Sequence, residues 1–300
     1  MLSKSLIAHL ALFGANLIYG INYTVAKDVM PNYLLPSGFV ILRVIGASVL
    51  FWIIGSLYYS EKIEKNDWAR FLLCAVFGVA VNQLFFFEGL SRTTPINAGI
   101  LMVVTPILVL LISNFILREK ITYLKITGII TGISGALFLL LSKGKGSFTN
   151  NTFLGDTFIF LNAASYAVYL VLVKPLMYKY HPITVMKWVF ALGLFLVLPF
   201  GWNEFIQITW NSIPTHIYFE IFYVIVFTTF FAYLLNTFGL HHLNPSVVSI
   251  YIYLQPLLAA FIAVLLGKDK IDVTKIIATL LIFTGVYLVS YIPQKNKIYD

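Results

Sequence analysis

A chain of 300 residues that is 60% hydrophobic and 11% charged, with a mean hydropathy of +0.89, carries far too little charge for the surface of a soluble domain. Its net charge of +8 comes from lysines and arginines scattered near the ends of apolar runs, which excludes a basic nucleic-acid face and favours lipid headgroups as the contact. The single cysteine, Cys74, excludes an intramolecular disulfide.

A helix needs ~20 mostly apolar residues to cross ~30 Å of hydrocarbon. Ten such segments are predicted, at 6–26, 34–57, 68–90, 95–117, 124–142, 154–174, 182–202, 215–238, 246–266 and 273–292. The first follows Lys4 like a signal peptide, but its length, Asn16 and Asn22, and the lack of a small-x-small cleavage site make it helix one. Pro31 and Pro36 suit the turn into helix two. The stretch Lys143 to Asn151, rich in Gly, Ser and Asn, reads as a hinge, and Gly128-x-x-x-Gly132 with Gly135 gives helix five a small-residue face, more for packing within the chain than for a homodimer. His241-His242 reads as a solvated loop.

The stretch from Pro95 to Ser142 is written twice. Shifted by 150 positions, Pro95 falls on Pro245, Pro106 on Pro256, Arg118-Glu119-Lys120-Ile121 on Lys268-Asp269-Lys270-Ile271, Lys125 on Lys275 and Gly135 on Gly285. Fainter matches join Tyr19 and Lys27 to Tyr166 and Lys174, and Gly89-Leu90 to Gly239-Leu240. Five helices per copy is an odd number, so the second copy enters the membrane in the opposite sense. The expectation is an all-α membrane protein of ten transmembrane helices in two inverted five-helix repeats, 1–142 and 154–292, joined by 143–153 and followed by a cytoplasmic tail at 293–300. With the N-terminus inside, twelve lysines and arginines fall inside and seven outside, so both termini are expected in the cytoplasm.

These residues carry a family resemblance. Thr93-Thr94-Pro95, Thr105-Pro106 and Arg118-Glu119-Lys120 in the first half, and Asn244-Pro245, Gln255-Pro256 and Lys268-Asp269-Lys270 in the second, resemble the EamA-like branch of the drug/metabolite transporter superfamily over nearly the whole chain. Aspartate at 269 replaces the glutamate usual there. The resemblance implies a secondary carrier in a bacterial inner membrane, often an exporter of amino acids or related small metabolites, with a central cavity and alternating access.

Independently of that resemblance, polar groups on lipid-immersed helices need partners in protein or a wet cavity. The polar stripes therefore mark an interior wall: Asn16, Tyr19 and Tyr23 on helix one, Asn82, Gln83 and Glu88 on helix three, and Asn97 with Thr105 on helix four. Helix six adds Asn162, Tyr166 and Tyr169, helix eight Tyr233 and Asn236, and helix nine Tyr251 and Gln255. Asn16, Tyr19, Asn82, Glu88, Asn97, Thr105, Tyr166, Tyr169, Tyr251 and Gln255 are the candidate substrate contacts, with simple helix packing as the alternative role for each. Pro106 and Pro256, mid-helix, free the carbonyls of Met102 and Ile252 and leave either a static kink or a hinge. Arg43, inside helix two, needs a partner; Glu88 is a candidate, and serves otherwise as a coupling or substrate group or as a partner of Arg92. No HExxH, Gly-x-Ser-x-Gly or phosphate loop occurs, so no cofactor is expected, and a membrane enzyme or scaffold is the alternative to a carrier.

Overall fold

A computed structural model describes residues 3–59, 61–142, 153–265 and 272–291. Ten helices among these residues are long and apolar enough to cross a membrane. They are α1 (Lys4–Val29), α2 (Pro36–Tyr58), α3 (Lys65–Arg92), α4 (Pro95–Leu117), α5 (Tyr123–Leu141), α6 (Phe153–Lys179), α7 (Pro182–Ile206), α8 (Thr215–His242), α9 (Pro245–Ile262) and α10 (Val273–Ser290). We call the face where α1 begins the near face and the opposite one the far face. The expected hinge and the second basic triplet fall outside the described residues.

Each helix start is written locally. Proline, which lacks the N–H that a first helical turn leaves unused, opens α2, α4, α7 and α9. Hydroxyl caps close two more donors: Ser3 Oγ accepts from Leu6 N–H and Thr94 Oγ1 from Asn97 N–H, at 3.2 and 3.1 Å. The basic-acidic-basic turn after α4 works through its acid. Glu119 accepts from Ser113 Oγ at 2.5 Å and Lys125 Nζ at 2.6 Å, pinning the end of α4 to the start of α5, while Arg118 takes a left-handed conformation at φ 55°.

Packing follows the duplication. Each helix of the pairs α2/α7 and α5/α10 packs against its own repeat-mate, while α1 packs on α8 and α3 on α6. The α5/α10 seam is built on glycine. A Cβ on Gly285 would sit 2.7 Å from the Gly128 carbonyl oxygen and 2.8 Å from the Gly132 backbone, so the predicted small face is spent inside the chain. Two contacts join residues that are themselves mates: Gln83 Nε2 to Tyr233 Oη, and Tyr253 Oη to the Val103 carbonyl. A residue touching its own mate lies on the two-fold that relates the halves, so this axis runs through the middle of α3/α8 and α4/α9. Burial agrees with that placement: 78% of α9 is buried against 28% of α10, and Phe115, Phe195 and Leu280 point outward where lipid would lie.

The halves also share a device at their helix ends. Lys27 Nζ donates to the carbonyls of Leu90, Ser91 and Thr93 at 2.7, 3.0 and 3.1 Å, where α3 ends at the far face. Lys174 Nζ does the same for Leu240, His241 and Leu243 at 2.7, 3.4 and 2.9 Å, where α8 ends at the near face. A cation on the last carbonyls satisfies orphan acceptors and opposes the negative end of the helix dipole.

Candidate functional site

The backbone is least regular at the centre of the molecule. α4 breaks between Met102 and Thr105, and α9 tightens into a 3₁₀ turn at Tyr251–Tyr253 before resuming at Leu254. These breaks lie one turn before Pro106 and Pro256, whose rings remove the N–H that would close the helix there. The break also turns the Ile107 N–H to the Val104 carbonyl, leaving that of Val103, which accepts from Tyr253 Oη, its mate in the other half, at 3.1 Å. α3 and α8 each widen into π-helical turns, at Val76–Ala80 and Val224–Phe231, a feature the sequence did not announce.

Between these irregular segments lies a cavity of about 80 Å³, walled by α1, α2, α3, α4, α6, α8 and α9. Asn16, Tyr19, Asn82, Tyr166 and Gln255, five of the ten expected contacts, line it, together with Tyr23, Asn162, Tyr233 and Asn236 from the same polar stripes. Its wall is a linked network. Gln255 Nε2 donates to Asn16 Oδ1 at 2.9 Å, Asn16 Nδ2 to the Leu12 carbonyl at 2.8 Å and Asn162 Nδ2 to the Asn82 carbonyl at 2.7 Å. Asn236 Nδ2 donates to Tyr166 Oη, and Tyr233 Oη stands 3.2 Å from the Gly78 carbonyl in the π-helical turn.

The other five lie elsewhere, each for a local reason. Glu88 is turned to the far-face rim, where it pairs with Arg92 one helical turn on and accepts from Ser37 Oγ at 2.8 Å; it does not meet Arg43. Asn97 is fully buried, with its Nδ2 3.3 Å from Asp156 Oδ1, an oxygen that also accepts from Thr93 Oγ1 at 2.5 Å. Thr105 follows the break in α4, so the continuous-helix spacing from Asn97 no longer describes its direction, and it is buried in protein. Tyr251 and Gln255 straddle the 3₁₀ turn. Each 3₁₀ residue advances 120° rather than 100°, so three of them rotate the two side chains apart by about 60° relative to an α-helix. Tyr251 Oη bonds His9 Nδ1 at 2.6 Å instead of reaching the cavity. Tyr169 packs over Gly78, whose added Cβ would lie 2.3 Å from the ring, and points its hydroxyl at Met186 Sδ. His241 and His242 are not in a loop but form the last turn of α8.

Sequence reasoning passed over Asn22, Phe86, Phe87, Thr228 and Val248 as wall residues. Asn22 stands three positions after Tyr19, a spacing that would have found it; Thr228 lies in the π-helical turn, where α-helical counting fails. Among the described residues, Arg43 is the one charged side chain lining the cavity, and it is 3% exposed. Its Nε donates to Thr229 Oγ1 at 2.9 Å, and its guanidinium carbon lies 4.2 Å above the Phe87 ring. Placing an arginine at the middle of a membrane helix costs about 2.5–3.5 kcal/mol on insertion scales, and a cation–π contact returns ~0.5–2 kcal/mol. The hydrogen bond to Thr229, made by a charged donor, contributes about 1.5–3 kcal/mol more.

The two faces are not equivalent. At the near face the second half of α4 packs against the first turns of α9. There too the loops are clasped: Lys179 Nζ and Tyr180 Oη both reach Asp67 Oδ2, at 2.9 and 2.8 Å, and Glu61 accepts from His181 N–H. At the far face the corresponding halves of α4 and α9 have no comparable packing among the described residues. A cleft of about 170 Å³ separates them, edged by Pro95, Gly99, Pro256 and Ala259, and it shares Tyr23, Met102, Ile252 and Gln255 with the central cavity.

Comparison with known proteins agrees with this architecture. A solved crystal structure superposes with a TM-score of 0.75 over 94% of this chain and 96% of its own, at 19% identity, which establishes the shared fold. An uncharacterized transporter of Archaeoglobus fulgidus is 28% identical over 76% of this chain and 78% of its own. The uncharacterized transporter YyaM of Bacillus subtilis is 24% identical over 98% and 97%, and the WAT1-related protein At3g53210 of Arabidopsis thaliana is 24% identical over 90% and 79%. The profile of the EamA-like transporter family matches twice, over residues 6–141 and 153–291, one match for each half. On the strength of that double match, the chain belongs to the EamA-like transporter family.

Proposed function

We propose that this protein is a secondary transporter that carries small metabolites, amino acids and their relatives among them, outward across a cytoplasmic membrane by alternating access. The observation that carries this reading is the inequality of two equivalent places. α4 and α9 are mates, packed at the near face and parted at the far face, with the polar cavity at the point where they cross. Inverted repeats that differ only in which end is closed define a second state in which the ends exchange roles. Asn16, Tyr19, Asn82, Tyr166 and Gln255 are the residues proposed to meet the cargo. The excess of lysine and arginine on the near side supports a cytoplasmic near face, and on that reading the described state is open to the outside.

The test is labelling followed by transport. With Cys74→Ala as background, a cysteine at Ala259 in the far cleft reacts with a membrane-impermeant thiol reagent added outside intact cells, and one at Ser246, fully buried at the near face, does not. Vesicles containing the purified protein show counterflow of labelled amino acids without nucleotide. Equal labelling at both positions, or no counterflow of any amino acid, overturns the reading.

A further inference from the structure

We propose that Arg43 is a carboxylate-binding subsite, so that the ligand of the central cavity is a small molecule bearing one carboxylate. The argument begins with unused donors. A guanidinium has five N–H groups, and only Nε has a protein acceptor, the hydroxyl of Thr229. The two terminal nitrogens have none among the described residues, and no carboxylate forms an ion pair with this side chain. Glu88, next in the chain to the ring on which the guanidinium rests, is withdrawn to Arg92 and Ser37. The protein therefore holds a charge in place by packing and leaves its bidentate edge to the cavity.

Charge and geometry narrow what fits that edge. A planar fork of two N–H groups matches the two oxygens of a carboxylate. Among the described residues one cation faces the cavity, since Lys27 and Lys174 are committed to helix-end carbonyls. A monocarboxylate leaves the filled site neutral, whereas a dianion such as hydrogen phosphate would leave net negative charge at the middle of a bilayer. On the same wall, Asn22 Oδ1 and Asn162 Oδ1 are buried acceptors without donors. They suit an N–H group on the ligand, so a zwitterion fits better than a simple acid. This inference takes the cavity from the carrier reading but does not need transport to be true.

Binding of the twenty protein amino acids and of acetate, benzoate and phenylacetate to the full-length protein in detergent, by calorimetry, tests it, each probe beside its primary amide. At least one carboxylate binds, its amide binds at least tenfold more weakly, Arg43→Gln loses the same factor, and Arg43→Lys falls between, keeping the charge but not the fork. Binding of amide and carboxylate alike, binding unchanged in Arg43→Gln, or no carboxylate bound at all overturns the subsite. The amide comparison uses the wild-type chain, so it decides the matter even where a variant fails to fold. A carboxylate that binds through Arg43 but shows no counterflow sinks the carrier reading and leaves the subsite standing; counterflow of neutral probes alone does the reverse.

Discussion

Replacing Lys174 with methionine keeps the apolar stem and removes the ammonium that closes α8. Three carbonyls lose their donor, those of Leu240, Leu243 and His241, at 2.7, 2.9 and 3.4 Å, and the first two are the short ones. A hydrogen bond to a charged group contributes about 1.5–3 kcal/mol, and a buried carbonyl left without a donor costs about 1–3 kcal/mol. Part of this is offset, because the variant no longer buries a charge in a side chain that is only 3% exposed. The expected net loss is about 3 kcal/mol, or about 6 °C in the unfolding midpoint at roughly 2 °C per kcal/mol for a chain of this size. Cys74, the sole cysteine and fully buried, supplies the assay: a thiol-reactive fluorophore responds when the protein opens. Lys27→Met removes the mate of this contact, but Lys27 is partly exposed, so its loss is smaller. The two sites cap opposite faces, so the double variant should lose the sum of the single effects. An unaltered midpoint for Lys174→Met, or a greater loss for Lys27→Met, would refute the cap argument.

Two further outcomes follow from the same geometry. Gly285→Ala puts a methyl group 2.7 Å from the Gly128 carbonyl oxygen and 2.8 Å from the Gly132 backbone, atoms that cannot swing aside, so it should lower stability by about 1–3 kcal/mol in the same thermal assay; an unchanged midpoint would mean that α5 and α10 can part without cost. His181, in the turn between α6 and α7, is stacked on Tyr59 and caps α7 by accepting the Ile183 N–H on Nδ1. Burial holds its pKa below the ordinary 6.5, against the opposing pull of Glu61. Its contribution is therefore complete above pH 6.5 and is lost as pH falls through the lower folded value, so acidification should weaken the near-face clasp. His181→Asn keeps a cap without the titration and should flatten that part of the stability–pH curve; an identical curve would refute it.

On α1 and α6 much of the wall was legible by counting, although Tyr169, one turn from Tyr166 on the same regular helix, packs over Gly78 instead. Asn16 and Tyr19 on α1 and Tyr166 on α6 follow the 3.6-residue period and point where counting places them. Thr105 and Tyr251 were misdirected by the same rule, because a break in α4 and a 3₁₀ turn in α9 lie on the path of the count. Glu88 was misplaced for another reason: a carboxylate takes the nearest cation that water also reaches, which is Arg92 one helical turn on rather than Arg43 in the interior.

By itself the sequence determined the class, the ten crossings, the duplication and the opposed sense of its halves, even the mated lysines at Lys27 and Lys174, because hydrocarbon tolerates few polar residues and a repeat of odd length must invert. Only the tertiary structure decided which end of α4 and α9 is closed, which stripes meet, and that Arg43 faces an open cavity without a carboxylate. Those are properties of contacts between helices far apart in the chain. Where proline, a 3₁₀ turn or a π-helical turn resets the rotation of a helix, residue spacing no longer carries that information.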